Sequence, residues 1–233
     1  MTKIILLHHL GLGDHLICNG MVREYCKTHD RVAIFSYPKN YTSVSFMFRD
    51  VPNLEVMRGD EAFALLFMLN NKFKREYNET KNVGLPHLDM FDSEPMERQF
   101  YRLAGLDFAK KWESFHIERD QSREQALFSK MKPKGDYIFL HDDAARGLAI
   151  DHKKVPEHYA VVSPASGLTD NIFDFCSLIE KAKEIHLIES SFMYLVDLLP
   201  YTNPEQKLVI HRYARPNPVW SLPALKKNWE IIN

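Results

Sequence analysis

Short apolar runs alternate with amphipathic stretches along this chain, and that alternation is its main structural signal. Ile4–Leu7 (IILL), Arg31–Ser36 (RVAIFS) and Leu54–Met57 have the length and branching of buried strands. Between them, Asp14–Lys27 carries Leu16, Ile17, Met21 and Tyr25 near helical spacing. Asn40–Phe48 reads as a helix ended by Asp50-Val51-Pro52, and Glu61–Leu69 as a short buried one. Residues 70–95 are polar and irregular, with Gly84, Pro86 and Pro95 as breakers. Glu97–Leu103 is a helix closed by Gly105, Ser114–Ile117 an edge strand, and Gln121–Met131 a solvated helix.

A second alternating series follows Lys132-Pro133-Lys134-Gly135, the best linker in the chain. Tyr137–His141 and Tyr159–Ser163 read as strands, joined by a long polar loop over Asp142–Glu157. Ile172–Lys183 is an amphipathic helix, Ile185–Ile188 a strand, Phe192–Leu199 a helix and Leu208–His211 a last strand. The tail, Pro216–Asn233, holds Trp220 and Trp229. Strands alternating with helices in short units predict parallel sheets covered on both faces. No sequence repeat of fixed period is present; what repeats is the architecture. The expected fold is α/β, with two Rossmann-like halves, residues 1–132 and 133–233.

Composition narrows the classes. With 30 basic and 31 acidic residues the net charge is −1, so bulk charge does not point to nucleic acid. Cys18, Cys26 and Cys176 lack metal-ligand spacing and fit a reducing compartment, so a cytoplasmic protein is expected. Ile4–Leu7 is too short for a signal sequence, and no apolar run approaches the roughly 18 residues of a membrane span. The greasiest stretch, Ala62–Leu69, is bounded by Asp60-Glu61 and Asn70-Asn71-Lys72. It reads as a buried helix, with a lipid-touching patch as the alternative.

Candidate chemistry lies where the predicted strands end. After Ile4–Leu7 comes His8-His9-Leu10-Gly11-Leu12-Gly13-Asp14-His15, a strand–glycine turn–helix unit. Glycines there allow a tight turn and close approach of a ligand. The third glycine of a dinucleotide fingerprint is missing, because Leu16 stands in its place, which argues against an NAD- or flavin-dependent oxidoreductase. Asp14 reads either as a helix cap or as a reactive carboxylate. A second group, His141-Asp142-Asp143 with Arg146, ends the strand that opens the second half. A third, Ile188-Glu189-Ser190-Ser191, joins a strand end to a helix start, where free N–H groups and the helix dipole favour an anion such as a diphosphate. Ser190 and Ser191 are natural caps, and Arg146 can donate charge-assisted bonds to the same phosphates. If the two sheets face each other, the three groups share one cleft.

On these residues the chain resembles compact glycosyltransferases of the GT-B type, nearest to the heptosyltransferase-like family. Gly13-Asp14 match the Gly-Asp pair before that family's first helix. Glu189-Ser190-Ser191 with Leu195-Val196-Asp197 follow its donor-side pattern, with Glu in place of the usual Asp and Ser in place of Gly. Tyr137–His141 is similar to the strand that opens its donor half. Two departures stand out: the chain is much shorter than typical members, and the basic residue of the donor loop is matched only by Arg146.

The resemblance implies two halves facing across a cleft, an acceptor bound by residues 1–132 and a nucleotide-diphosphate sugar by residues 133–233. It implies metal-independent, inverting transfer to a glycan hydroxyl, with Asp14 as general base and His15 as a further catalytic candidate beside His8 and His9. Gly11, Gly13, His141, Arg146, Ser163, Glu189, Ser190 and Ser191 make up the donor- or nucleotide-binding set. No cofactor, nucleic-acid partner or transmembrane segment is expected. Adjacent acids on an extended chain point to opposite sides, so Asp142-Asp143 makes an awkward metal chelate and none is expected. Tyr37, Tyr41, Phe91 and Trp220 are available to stack on sugar or base. Competing readings are a nucleotide-sugar epimerase or hydrolase, and a non-catalytic nucleotide- or sugar-binding module.

Overall fold

The computed structural model describes residues 1–69, 76–84, 94–143, 146–215 and 222–233, so Phe91 and Trp220 lie outside the described residues. The chain divides into two compact units, Met1–Glu118 with Trp220–Pro223, and Arg119–Val219 with Ala224–Asn233.

In the first unit the order is β1 (Lys3–Leu7), α1 (Leu12–Thr28), β2 (Arg31–Ser36), α2 (Tyr41–Met47), β3 (Leu54–Arg58), α3 (Glu61–Leu69), β4 (Glu79–Asn82), α4 (Met96–Ala104) and α5 (Lys110–Glu113). The sheet runs β3-β2-β1-β4 and every pairing is parallel. Ile4, Ile5, Leu6, Leu7, Val32, Ala33, Ile34 and Phe35 are all buried, as strands covered on both faces must be. Helix α1 buries every residue from His15 to Val22. It has no room for a side chain at Gly20, where the backbone carbonyl of Lys110 comes closest.

The second unit holds α6 (Gln121–Met131), β5 (Tyr137–His141), β6 (Ala160–Val162), α7 (Cys176–Lys181), β7 (Glu184–Leu187), α8 (Ser191–Leu198), β8 (Lys207–His211) and β9 (Glu230–Ile232). Its five-stranded sheet runs β6-β5-β7-β8-β9, again wholly parallel. Both expected sheets are therefore present.

The structure also differs from the sequence reading in five places. The units divide between Glu118 and Arg119, not after residue 132, because α6 belongs to the second unit. Arg119 pairs there with Glu180, and Arg123 with Asp174 at 2.8 Å. Strand β4 (ETKN) carries no apolar signal and pairs with β1 at the sheet's edge. Strand β9 was hidden in the tail and pairs with β8. Residues 114–117 form no strand. Asn19 takes the place of a neighbouring strand: its Oδ1 accepts from His116 N–H (3.1 Å) and its Nδ2 donates to His116 C=O (3.2 Å). The helix expected over Ile172–Lys183 begins as a tighter turn, Ile172–Phe175, and ends at Lys181.

Strand order locates the sites. In the first sheet the chain runs outward through β1, β2 and β3, then returns to the other side of β1 as β4. In the second it places β6 on one side of β5 and β7 on the other. Where consecutive connections leave in opposite directions, the carboxyl ends of the two strands open a crevice suited to ligands. Those points are β1/β4 and β5/β7. Asp14 follows β1, His141 ends β5 and Glu189-Ser190 follow β7.

Candidate functional site

In the first unit, Gly11 is the N-cap of α1 with φ −63° and ψ 146°, an ordinary extended conformation. Neither Gly11 nor Gly13 has positive φ, so the turn does not draw on glycine's freedom to adopt a left-handed conformation. What requires glycine at 11 is space, because a Cβ there would run into Oδ2 of Asp14. Asp14 is not the cap but the third helical residue. Its carboxylate accepts from the backbone N–H of Gly11 and from its own, the reach-back half of a capping box. The residue as a whole is partly exposed, but burial around its carboxyl dominates the titration and raises its pKa to about 6. Glu61 pushes in the same direction, while His9 opposes. Tyr37, just beyond β2, hydrogen-bonds Glu61 and feels the Asp14 charge. One carboxyl-end cluster thus gathers His9, Asp14, Tyr37 and Glu61.

His15 takes a different place from the one expected of a catalytic candidate. It is fully buried against His8, ring centroids 4.6 Å apart and edge to face. Neither of its ring nitrogens has a hydrogen-bond partner, and burial keeps it neutral, with its pKa well below the ordinary value. His8 is likewise buried, its pKa lowered to about 4 mainly by desolvation, with Nδ1 2.7 Å from the carbonyl of His9. Both face the core of the unit, whereas Asp14 and His9 are only partly buried.

In the second unit, Ser190 is the N-cap of α8, but its side chain does not cap the helix. Its hydroxyl lies 3.2 Å from Nδ1 of His141 and so bridges the ends of β7 and β5. Phe192 supports this contact, its ring 4.6 Å from that of His141. Burial lowers the His141 pKa, and Asp143 and Asp142 oppose that. Glu189 is half-buried, and desolvation raises its pKa. Ser191 is the first helical residue, partly exposed, and Ser163 follows the edge strand β6.

The expected phosphate ligand, Arg146, is exposed and bound to Asp143, Nε to Oδ2 at 2.5 Å. Two arginines that the sequence reading missed bear on Glu189, two residues before the helix begins. Arg212 and Arg215 belong to the turn after β8. Arg215 donates to the carbonyl of Glu189 at 2.6 Å, and Arg212 Nε lies 3.8 Å from its carboxylate. Basic residues in a late polar loop read as solvated, and the β7–β8 pairing that brings them to Glu189 is not visible locally.

Asp197, the acid of the Leu-Val-Asp stretch, has a structural role. It is buried and accepts from the backbone N–H groups of Lys226 and Lys227 and from the Trp229 indole. Among the described residues, no three His, Cys, Asp or Glu side chains gather into a metal-binding group. No described helix is long and apolar enough to cross a membrane.

No family model and no curated protein sequence matches the chain. Among solved structures it is similar to ADP-heptose LPS heptosyltransferase II from E. coli. That match has a TM-score of 0.62 and 12% identity, and covers 100% of this chain and 90% of the other. It is also similar to a family 9 glycosyl transferase from Veillonella parvula, with a TM-score of 0.47 and 9% identity, covering 90% and 80% of the two chains. The first likeness shows the fold: two Rossmann-like α/β units, each with its own parallel sheet, as in a GT-B-like fold.

Proposed function

We propose that this chain is a glycosyltransferase that moves a sugar from a nucleotide-diphosphate donor to an acceptor hydroxyl, with Asp14 as general base. The observation that carries the reading is the place of Asp14, at the helix start that follows the carboxyl end of β1 and beside His9, Tyr37 and Glu61, where burial raises its pKa to about 6. A base with that value is ionised at neutral pH and still takes a proton readily as the new glycosidic bond forms. The likeness in fold to a heptosyltransferase supports the same class of chemistry.

The first unit binds the acceptor. Tyr37 offers an aromatic face, and Glu61 and His9 offer hydrogen bonds to sugar hydroxyls. The second unit binds the donor. Its diphosphate sits against the uncapped start of α8, where N–H groups and the helix dipole meet negative charge. Arg212 and Arg215 supply the fixed positive charge that stabilises the leaving diphosphate, the task a metal performs in other transferases. His141 and Ser190 line the same crevice. Attack by the acceptor oxygen opposite the departing diphosphate inverts the anomeric centre.

The test is release of nucleoside diphosphate from a panel of nucleotide-sugars, with and without mixed oligosaccharide acceptors, in EDTA. Acceptor-dependent release that disappears in Asp14→Asn supports the reading. Release that ignores the acceptor identifies a hydrolase, and binding without release identifies a binding module.

A further inference from the structure

The second sheet carries a buried row of polar groups that the transfer itself does not use. His186 on β7 and His211 on β8 are fully buried, yet each ring nitrogen has a partner. Glu184 Oε2 lies 2.9 Å from His186 Nε2, and His186 Nδ1 lies 2.8 Å from His211 Nε2. His211 Nδ1 lies 3.1 Å from the Tyr213 hydroxyl, which accepts from the backbone N–H of Asp151 at 2.9 Å. The strand period puts Glu184 and His186 on one face, and the diagonal across β7–β8 brings His211 to the same face.

The two ends of the row fix its direction. A carboxylate only accepts, so His186 carries its proton on Nε2 and accepts at Nδ1. His211 must then donate from Nε2 and accept at Nδ1, and Tyr213 donates to it. The Asp151 N–H fills the oxygen that Tyr213 leaves free. Every hydrogen bond is satisfied in this sense; the reverse needs a protonated Glu184 and leaves two donors competing at Tyr213.

We propose that Glu184, His186, His211 and Tyr213 form a one-way hydrogen-bond chain that positions the Arg212–Arg215 turn for the diphosphate of the donor. Tyr213 is the middle of that turn, and its hydroxyl is a polar handle by which the sheet interior holds it. With Tyr213 fixed, Arg212 and Arg215 on either side are held towards Glu189 and the start of α8. The purpose assigned to the chain rests on the donor reading above. His186, His211 and Tyr213 are positioning residues, since none of them reaches the diphosphate itself.

Adding a proton to the histidine pair breaks the chain, because a doubly protonated imidazole has no acceptor. Desolvation lowers the titration of both rings, His211 to about 4 with His186 as a second cause. The charged groups bearing on the pair are Glu184, the Lys207–Glu230 ion pair (2.9 Å), Lys154 and Asp151. At neutral pH the chain is therefore intact.

Nitrogen-15 NMR of the histidine rings reads the chain directly. At pH 7, His186 and His211 are expected to be neutral with the proton on Nε2. A ring protonated at Nδ1, or charged, overturns the proposal. Tyr213→Phe keeps the ring and removes the hydroxyl, both the donor to His211 and the acceptor from the Asp151 N–H, so His211 is expected to change tautomer or chemical shift. Affinity for ADP, UDP, GDP or CMP, whichever the unaltered protein binds, is expected to fall about tenfold, within the scale of the two lost hydrogen bonds. Unchanged affinity and unchanged ring signals in Tyr213→Phe overturn the proposal. If the unaltered protein binds none of these nucleotides, the donor reading fails and the chain loses its assigned purpose, while the ring signals still report whether the chain itself exists.

Discussion

The Ser190 hydroxyl and the His141 imidazole lie 3.2 Å apart across the crevice between β7 and β5. A serine at a helix start ordinarily caps it, and here the hydroxyl serves the neighbouring strand instead. The helix start is left open to an anion. Ser190→Asp places a negative charge at that start, which favours the helix by about 0.5–1 kcal/mol and repels the diphosphate. The variant is expected to melt at an equal or higher temperature while binding nucleoside diphosphates at least tenfold more weakly. Thermal denaturation and calorimetric titration check the two halves of this prediction.

Asp14→Asn is expected to reduce turnover by about 10²–10⁴-fold, the usual contribution of a general base, and to leave nucleotide affinity unchanged. In the unaltered protein, turnover is expected to rise with pH through a midpoint near 6, because the base acts only when ionised. The same substitution should stabilise the fold at pH 8. A carboxyl with its pKa raised from 3.8 to about 6 costs the folded state stability once it is ionised. Asparagine removes that cost and keeps an acceptor for the Gly11 N–H. A higher melting temperature with lost activity is the combined signature.

Gly11→Ala tests why glycine is present. The backbone angles at 11 suit any residue, so conformation exacts no penalty. The added methyl instead displaces the Asp14 carboxylate. Turnover is expected to fall at least tenfold with little loss of stability, and the pH midpoint near 6 should move. Rate–pH profiles of the purified variant check this.

Much of this frame was legible in the sequence because fully buried parallel strands declare themselves as apolar runs. Ile4–Leu7, Arg31–Ser36 and Tyr137–His141 did so, and the glycine–aspartate turn and Ser190-Ser191 were found because they follow such runs. Strand β4 escaped because an edge strand needs only backbone partners, and Glu79-Thr80-Lys81-Asn82 bury almost nothing. The false strand at 114–117 had a suitable pattern, but the Asn19 side chain satisfied its backbone first. His15 looked like a rival base beside Asp14; one residue further along a helix is about a quarter-turn, enough to turn it into the core. Arg212 and Arg215 become neighbours of Glu189 only through strand pairing, which no local window contains.

Acid should unfold this protein early. His8 and His211 titrate near 4 in the folded state, and burial also lowers His15, His141 and His186. Their unfolded value is about 6.5, so as pH falls below it the unfolded chain binds protons that the folded chain refuses. Each such group removes up to about 1.4 kcal/mol of stability per pH unit between roughly 6.5 and its folded value. Asp14 acts in the opposite sense between about 6 and 3.8, and Glu189, also raised by burial, acts with it, but these are two groups against five. The melting temperature is expected to fall steeply from pH 6.5 to pH 4.5, and a flat profile would show that these histidines are not buried as described.

The most direct measurement is calorimetric titration with UDP, ADP, GDP and CMP in EDTA, on the unaltered protein, Arg212→Ala/Arg215→Ala, Arg146→Ala and Asp14→Asn. One nucleoside diphosphate is expected to bind without metal, and Asp14→Asn to bind it equally well. Arg146→Ala is expected to change affinity by less than about threefold, because that arginine is exposed and already paired. The double arginine variant should lose at least tenfold, the scale of charge-assisted hydrogen bonds. Binding that depends on Arg146 and ignores Arg212 and Arg215, or no binding at all, would contradict a donor site at the start of α8.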